Sequence, residues 1–232
     1  MKRFALICCS DLGLDLLSST FRSEGQQWTH LLADAEHFAA SAHGYDGYLI
    51  SGSMRSVVDD AATPSVANVL ALIRDVHANS NAPILGICFG SQAIAAALGG
   101  RVSQNPSGRF RLGVDELRWS EAADPLRWPE TLRGATLAQS HGECVTELPS
   151  HSELLASSAT TPHEVFLVHD RFLGVQGHPE ADSKTFRESF MPLHRSLFDL
   201  NQWQAVEDES KQPLMREAVI SLGRRLLADG RL

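Results

Sequence analysis

Blocks of apolar residues bounded by turn formers alternate in this chain with stretches whose apolar positions recur every three or four residues. The blocks Phe4–Cys9, Tyr45–Ser51, Pro83–Cys88, Glu164–His169 and Phe172–Gln176 read as strands. Helical spacing predicts helices over Gln26–Ala42, Ser65–Ala78 and Ser91–Leu98. Strands alternating with helices predict an α/β fold: a mostly parallel central sheet, covered on both faces and joined by right-handed crossovers. The middle, from about Arg101 to Val145, is different. Short extended pieces such as Leu112–Trp119 are separated by Gly and Pro, which predicts a small antiparallel addition. After Pro213, residues Leu214, Ala218, Val219, Leu222 and Leu226 fall near helical spacing, so a helix over about 213–230 is expected to pack on the body. No repeat, low-complexity segment or linker divides the chain, and 1–232 is read as one domain.

Composition narrows the class. Apolar residues make up 43% and charged residues 21%, an ordinary globular balance. The formal net charge of -8 disfavours nucleic acid and anionic membrane as partners. No stretch approaches the ~18–20 apolar residues of a membrane span. Met1-Lys2-Arg3 followed by Phe4 to Cys9 imitates a signal peptide, but the run is short and Asp11 and Asp15 follow, so it is read as a first buried strand. Cys8, Cys9, Cys88 and Cys144 do not resemble a disulfide framework; Cys8 and Cys9 should point to opposite faces of one strand. A reducing cytoplasm is the expected location, and any special cysteine is expected to be reactive rather than structural.

The segment Pro83 to Gly100 is the most informative. An apolar strand runs into Cys88, a helix-forming run begins at once, and a Gly pair ends it. Gly86 and Gly90 flank Cys88 in a G-x-C-x-G pattern, the small neighbours that a sharp strand-to-helix turn needs. Such a turn lifts the sulfur above the sheet edge at the positive end of a helix dipole, a setting suited to an attacking thiolate. The N–H of Phe89 would face a developing oxyanion. The alternative is a cysteine packed in an ordinary crossover.

A nucleophilic cysteine needs an imidazole and a group to hold it. Of ten histidines, His178 ends an apolar strand in Gly177-His178-Pro179-Glu180. Pro179 biases His178 toward extended geometry, in which Glu180 can lie beside its ring and fix the tautomer. Cys88, His178 and Glu180 are therefore the expected catalytic set. A second oxyanion donor is expected from Gly52 or Ser53, where the strand Tyr48-Leu49-Ile50-Ser51 ends in small residues. No C-x-x-C, H-E-x-x-H or glycine-rich phosphate loop is present, so neither a metal nor another cofactor is expected.

Together, Gly86-Ile87-Cys88-Phe89-Gly90-Ser91-Gln92, Ile50-Ser51-Gly52-Ser53, His178-Pro179-Glu180 and Gln139-Ser140-His141-Gly142-Glu143 resemble the class I glutamine amidotransferase family over roughly Tyr45 to Glu180. The resemblance implies a flavodoxin-like three-layer sandwich. It also implies that Gln92, Ser140 and His141 bind the α-amino and α-carboxylate end of a γ-glutamyl group. Gly86 to Gly90, Glu147-Leu148-Pro149 and Leu173 to Glu180 are closest in wording to stand-alone γ-glutamyl peptidases. Ser91, where many relatives carry His or Met, and Arg109 and Arg111, where relatives often carry an acid, depart from the pattern and bear on what the pocket accepts.

Three functions follow from this resemblance. The first is a hydrolase that cuts small γ-glutamyl amides or peptides to glutamate and an amine through a γ-glutamyl thioester. The second is a glutaminase subunit that supplies ammonia to a separate synthetase partner chain. The third is a catalytically silent binding or regulatory module, against which the intact Cys88, His178 and Glu180 speak.

Overall fold

The computed structural model describes residues 1–10, 14–123 and 134–232; Asp11 and positions 124–133 of the predicted antiparallel middle lie outside them. The first half alternates strand and helix: β1 Lys2–Cys8, α1 Leu14–Phe21, β2 Gln26–Leu32, α2 Phe38–Ser41, β3 Gly47–Ile50, α3 Pro64–Asn79, β4 Ile84–Ile87 and α4 Phe89–Ala97. Short strands follow: β5 Arg101–Gln104, β6 Arg111–Glu116, β7 Arg118–Trp119, β8 Thr136–His141, β9 Glu143–Glu147, β10 Ser152–Ser157, β11 Val165–Val168 and β12 Phe172–Val175. The C-terminal part is helical: α5 Ser183–Thr185, a π-helical turn Phe186–Phe190, α6 Met191–His194, a 3₁₀ turn Arg195–Leu197, α7 Leu200–Glu209 and α8 Glu217–Asp229.

The main sheet runs in the order β2-β1-β3-β4-β12-β11-β10-β7. Pairing is parallel from β2 to β12 and antiparallel from β12 to β7. Two small antiparallel sheets, β5 with β9 and β6 with β8, form the addition. Alternation along β1 shows why the sheet is sandwiched. Phe4, Leu6 and Cys8 enter one core with Leu17 and Phe21 of α1 and Leu222 and Leu226 of α8. Ala5 and Ile7 enter the opposite core with Val69 and Ile73 of α3 and Ile94 of α4. Each fully buried side chain of this size contributes roughly 1.5–3 kcal/mol, so strands buried on both faces anchor the fold. Cys9 packs on the core opposite to Cys8, as strand alternation requires.

Three local expectations are corrected. Gln26–Ala42 is not one helix: Gln26–Leu32 is the edge strand β2, in register with β1 from Lys2↔Gln26 to Cys8↔Leu32, and only Phe38–Ser41 is helical. Trp28, Leu31 and Leu32 carry helical spacing by chance; pairing to a buried strand, with Trp28 stacked on Phe4 at 5.2 Å between ring centroids, overrides it. Leu112–Trp119 is not one extended piece, because β6 pairs with β8 while β7 closes the far edge of the main sheet. The last helix starts at Glu217 rather than 213 and ends on Gly230, whose φ of 84° is the left-handed conformation that stops a helix.

Candidate active site

The parallel strands β3, β4 and β12 end at one edge of the sheet, and the three predicted motifs emerge there. Register pairs Ile50 with Gly86 and Val175 with Ile87, so each motif begins at the same height. The Cys88 N–H then donates to Val175 O at 2.8 Å, tying the two strand ends together. Cys88 takes φ +52°, ψ -105° and α4 starts at the next residue. A side-chain residue held in this region is strained, and the close packing around it explains how it is kept. A Cβ on Gly90 would lie 3.0 Å from both the carbonyl carbon and Cβ of Ile50, and closer still to its oxygen. A Cβ on Gly86 would meet the Gly90 backbone and lie 2.8 Å from Ile94 Cδ1. The pattern around Cys88 therefore lets α4 press directly on β3 and β4.

His178 is reached by a different route. Its N–H donates to Ala138 O of β8 at 2.9 Å, in an isolated antiparallel bridge that continues the β12 direction past the sheet. The Arg216 guanidinium donates to Pro179 O at 2.7 Å and Glu180 O at 3.0 Å, clamping the His-Pro-Glu turn from the C-terminal side. Within the turn, His178 Nδ1 lies 2.8 Å from Glu180 Oε1, both side chains buried. Nδ1 carries the proton in this pair, because a carboxylate can only accept. The other ring nitrogen, Nε2, is buried and makes no conventional hydrogen bond.

A Cβ built on Gly52 would lie 3.4 Å from His178 Cε1 and 3.7 Å from Cys88 Cβ, so the three meet at one point. Burial disfavours a charge on the His178 ring, but the charges of Glu180 and then Cys88, with the hydrogen bond to Glu180, push its pKa up to about 10. Nearby histidines move the other way. Burial and then the His178 charge push His141 down to about 4, and the same two causes lower His194. Opposite shifts thus set His178 apart from the two neighbouring histidines.

These residues open into a cavity of about 340 Å³, at the small end of the range for small-molecule sites. Cys88, His178, Glu180, Gly52, Ser53 and Ser140 line it. Phe89 is the first residue of α4, so its N–H has no intrahelical acceptor. The side chains of Gln92 and His141 are not brought to the cavity. Gln92 is buried and donates to Glu143 O at 2.8 Å and Gln176 Oε1 at 3.3 Å, pinning α4 to β9. His141 contacts Gln139 Oε1 at 3.2 Å, and Gln139 in turn donates to both oxygens of Glu164. Ser91 is fully buried inside α4, and Arg111 is paired with Asp115 and Glu209 beside a separate cavity that Arg109 also lines. None of these three departures lines the Cys88 cavity.

Sequence reasoning missed Gln176, whose Nε2 lies 3.8 Å from the Cys88 sulfur. It stands two residues before His178, and strand alternation could have found it. It also missed Arg216 and the outer cavity wall from α1 and residues 185–194, including Phe190, whose ring meets His178 edge-on at 4.7 Å. No local signal marks these. Among the described residues, no group of three or more His, Cys, Asp or Glu is placed to hold a metal ion, and no helix is long and apolar enough to cross a membrane.

Comparison with known proteins bears on this geometry. The family model described as Glutamine amidotransferase class-I matches residues 14–194. A γ-glutamyl peptidase 4 of Arabidopsis thaliana is 32% identical over 169 residues, 70% of this chain and 65% of the relative. A glutamine-hydrolysing GMP synthase of Nostoc punctiforme is 36% identical over 135 residues, 58% of this chain but 23% of the relative. The chain thus spans less than two thirds of either relative's length. Among solved structures, a glutamine amidotransferase of Thermotoga maritima superposes with a TM-score of 0.74 at 19% identity, covering 97% of this chain and 98% of that one; this likeness concerns the fold.

Proposed function

The chain belongs to the class I glutamine amidotransferase family, and from that premise we propose that it is a cysteine hydrolase of small γ-glutamyl amides. Hydrolysis of glutamine-type amides is the general chemistry of its relatives. The finer reading names the residues and the bond. Its main support is the meeting of Cys88, Gly52 and the Glu180-held His178 at one cavity, at the carboxyl ends of three parallel strands.

In the proposed cycle, Cys88 Sγ attacks the γ-carbonyl carbon and its proton rests on His178 Nε2. The carbonyl oxygen becomes an oxyanion facing the N–H of Phe89 and that of Gly52 or Ser53; one such donor is worth roughly 10²–10³ in rate. When the C–N bond breaks, His178 gives the proton to the departing amine and a γ-glutamyl thioester remains. Water, losing a proton to His178, then attacks the thioester and releases glutamate and free Cys88. Glu180 on Nδ1 keeps Nε2 directed at the reacting atoms and stabilises the cationic ring. Ser140 supplies a polar edge for the glutamyl group.

The test is a screen of glutamine, γ-glutamyl peptides and N-substituted γ-glutamyl amides with the parent and Cys88→Ala. Release of glutamate by the parent alone supports the reading; equal behaviour of the two proteins sinks it. The match to a GMP synthase favours a second reading, in which the chain supplies ammonia to a synthetase partner. Glutamine hydrolysis that rises sharply only when such a partner is added would select it.

A further inference from the structure

The cavity beside Cys88 has walls of two kinds. Besides Cys88, His178 and Glu180, its polar lining is Ser10, Ser53, Ser140, Thr185, Ser189 and His194. Leu16 and Leu17 of α1, Met54 after β3, and Phe190 and Leu193 from the π turn and α6 make its apolar part, with Phe190 against the His178 ring. Met54 and Leu193 are 68% and 49% exposed, so the apolar lining reaches solvent. Among the described residues, no Lys, Arg or Asp lines the cavity, and its one carboxylate, Glu180, is engaged by His178. Ser91, Arg109 and Arg111 stand elsewhere. Beyond the His178 ring, which Glu180 engages, the described lining offers a carboxylate on the leaving amine no Lys or Arg, and it offers a second ammonium no free carboxylate.

We infer that the amine released from the γ-glutamyl amide is apolar and carries no carboxylate, an alkyl or arylalkyl amine whose hydrocarbon part lies on Leu16, Met54, Phe190 and Leu193. This rests on the proposed hydrolase and adds the substrate class. The bond balance is that of the cycle above: the amide C–N bond and one water O–H bond break, a C–O bond forms in glutamate, and the amine leaves with one proton from water.

The probes are glutamine, γ-glutamylmethylamide, γ-glutamylbenzylamide and γ-glutamylglycine, compared by kcat/KM. One methylene in an apolar pocket is worth about 10–200-fold, so the benzylamide should exceed the methylamide by at least about tenfold, and γ-glutamylglycine should be the poorest. Leu193→Asp and Met54→Asp alter exposed side chains and should fold. Each should lower the benzylamide-to-glutamine ratio by about tenfold. Binding of the benzylamide and of glutamine to Cys88→Ala, measured by calorimetry, reads the same preference without turnover. Equal ratios for benzylamide, methylamide and γ-glutamylglycine, or ratios unmoved by both wall variants, would overturn the inference while Cys88-dependent glutamine hydrolysis left the hydrolase reading standing. Loss of that hydrolysis itself would overturn the reading and the inference with it.

Discussion

Gly90→Ala separates local preference from packing with one methyl group. Gly90 lies in the first turn of α4, where replacing Gly by Ala ordinarily stabilises a helix by up to about 1 kcal/mol. Here the new Cβ would stand 3.0 Å from Ile50 C and Cβ and closer to Ile50 O, in the middle of a sheet whose strands cannot rotate away. Overpacking of this kind costs about 1–3 kcal/mol, and a backbone obstacle belongs to the upper part of that range. The net expectation is a loss of about 2 kcal/mol, or a Tm lowered by about 4–8 °C for a chain of this size. Relief comes only by sliding α4, which carries Cys88 at its start. A misplacement of about 1 Å at a reacting group can cost 10²-fold in turnover. Gly134→Ala is the control, because its Cβ would meet Met215 Cε at an ordinary 3.6 Å, and its effect should stay within about 0.5 kcal/mol. Scanning calorimetry and glutamate release read both quantities. A Gly90→Ala protein with a Tm at or above the parent, and unchanged turnover, would refute the claim that the elbow is built on contact between α4 and β3.

Further expectations concern the proposed machinery and its supports. Cys88→Ala should abolish glutamate release and His178→Ala nearly so; substantial turnover in the His178 variant would remove it as the base. Because His178 titrates near 10 in the folded protein, above its ordinary 6.5, the stability it adds is complete below 6.5 and is lost as pH rises through about 10. Turnover that uses the protonated ring should fall on the same alkaline side, and Glu180→Gln should move that limb to lower pH; an unmoved limb in a pH–rate profile contradicts the pairing. Arg216→Met removes two charge-assisted hydrogen bonds to the His-Pro-Glu turn and should lower kcat more than it raises KM, with the limb also shifted; a pure KM effect would place Arg216 elsewhere in the mechanism. Burial pushes Glu164 up to about 7 from 4.5, so its protonated form is favoured on folding and stability falls as pH rises from 4.5 through 7. Glu164→Gln should flatten that fall in Tm measured from pH 5 to 8, and an equally steep fall would assign it to other groups.

The α/β class, the buried strands and the three motifs were legible along the chain because each depends on nearby residues. Alternation over Phe4–Cys8, glycines two places either side of Cys88, and a proline after His178 all act within a strand or a turn. Edge strand β2 was not legible, since Trp28, Leu31 and Leu32 satisfy helical spacing and only pairing with β1 selects the extended form. Gln92 and His141 show the same limit at the site. Their motif positions are clear, but the approach of β9 and of Gln139 decides that their side chains hold the frame rather than the cavity. Local sterics, periodicity and motif wording marked which residues were expected to do chemistry. Only the packing of distant segments, with α1, the 185–194 stretch and Arg216 brought around the strand ends, decided how those residues are held and which side chains line the cavity beside them. That packing is a balance of long-range burial and hydrogen bonding that no short window of residues contains.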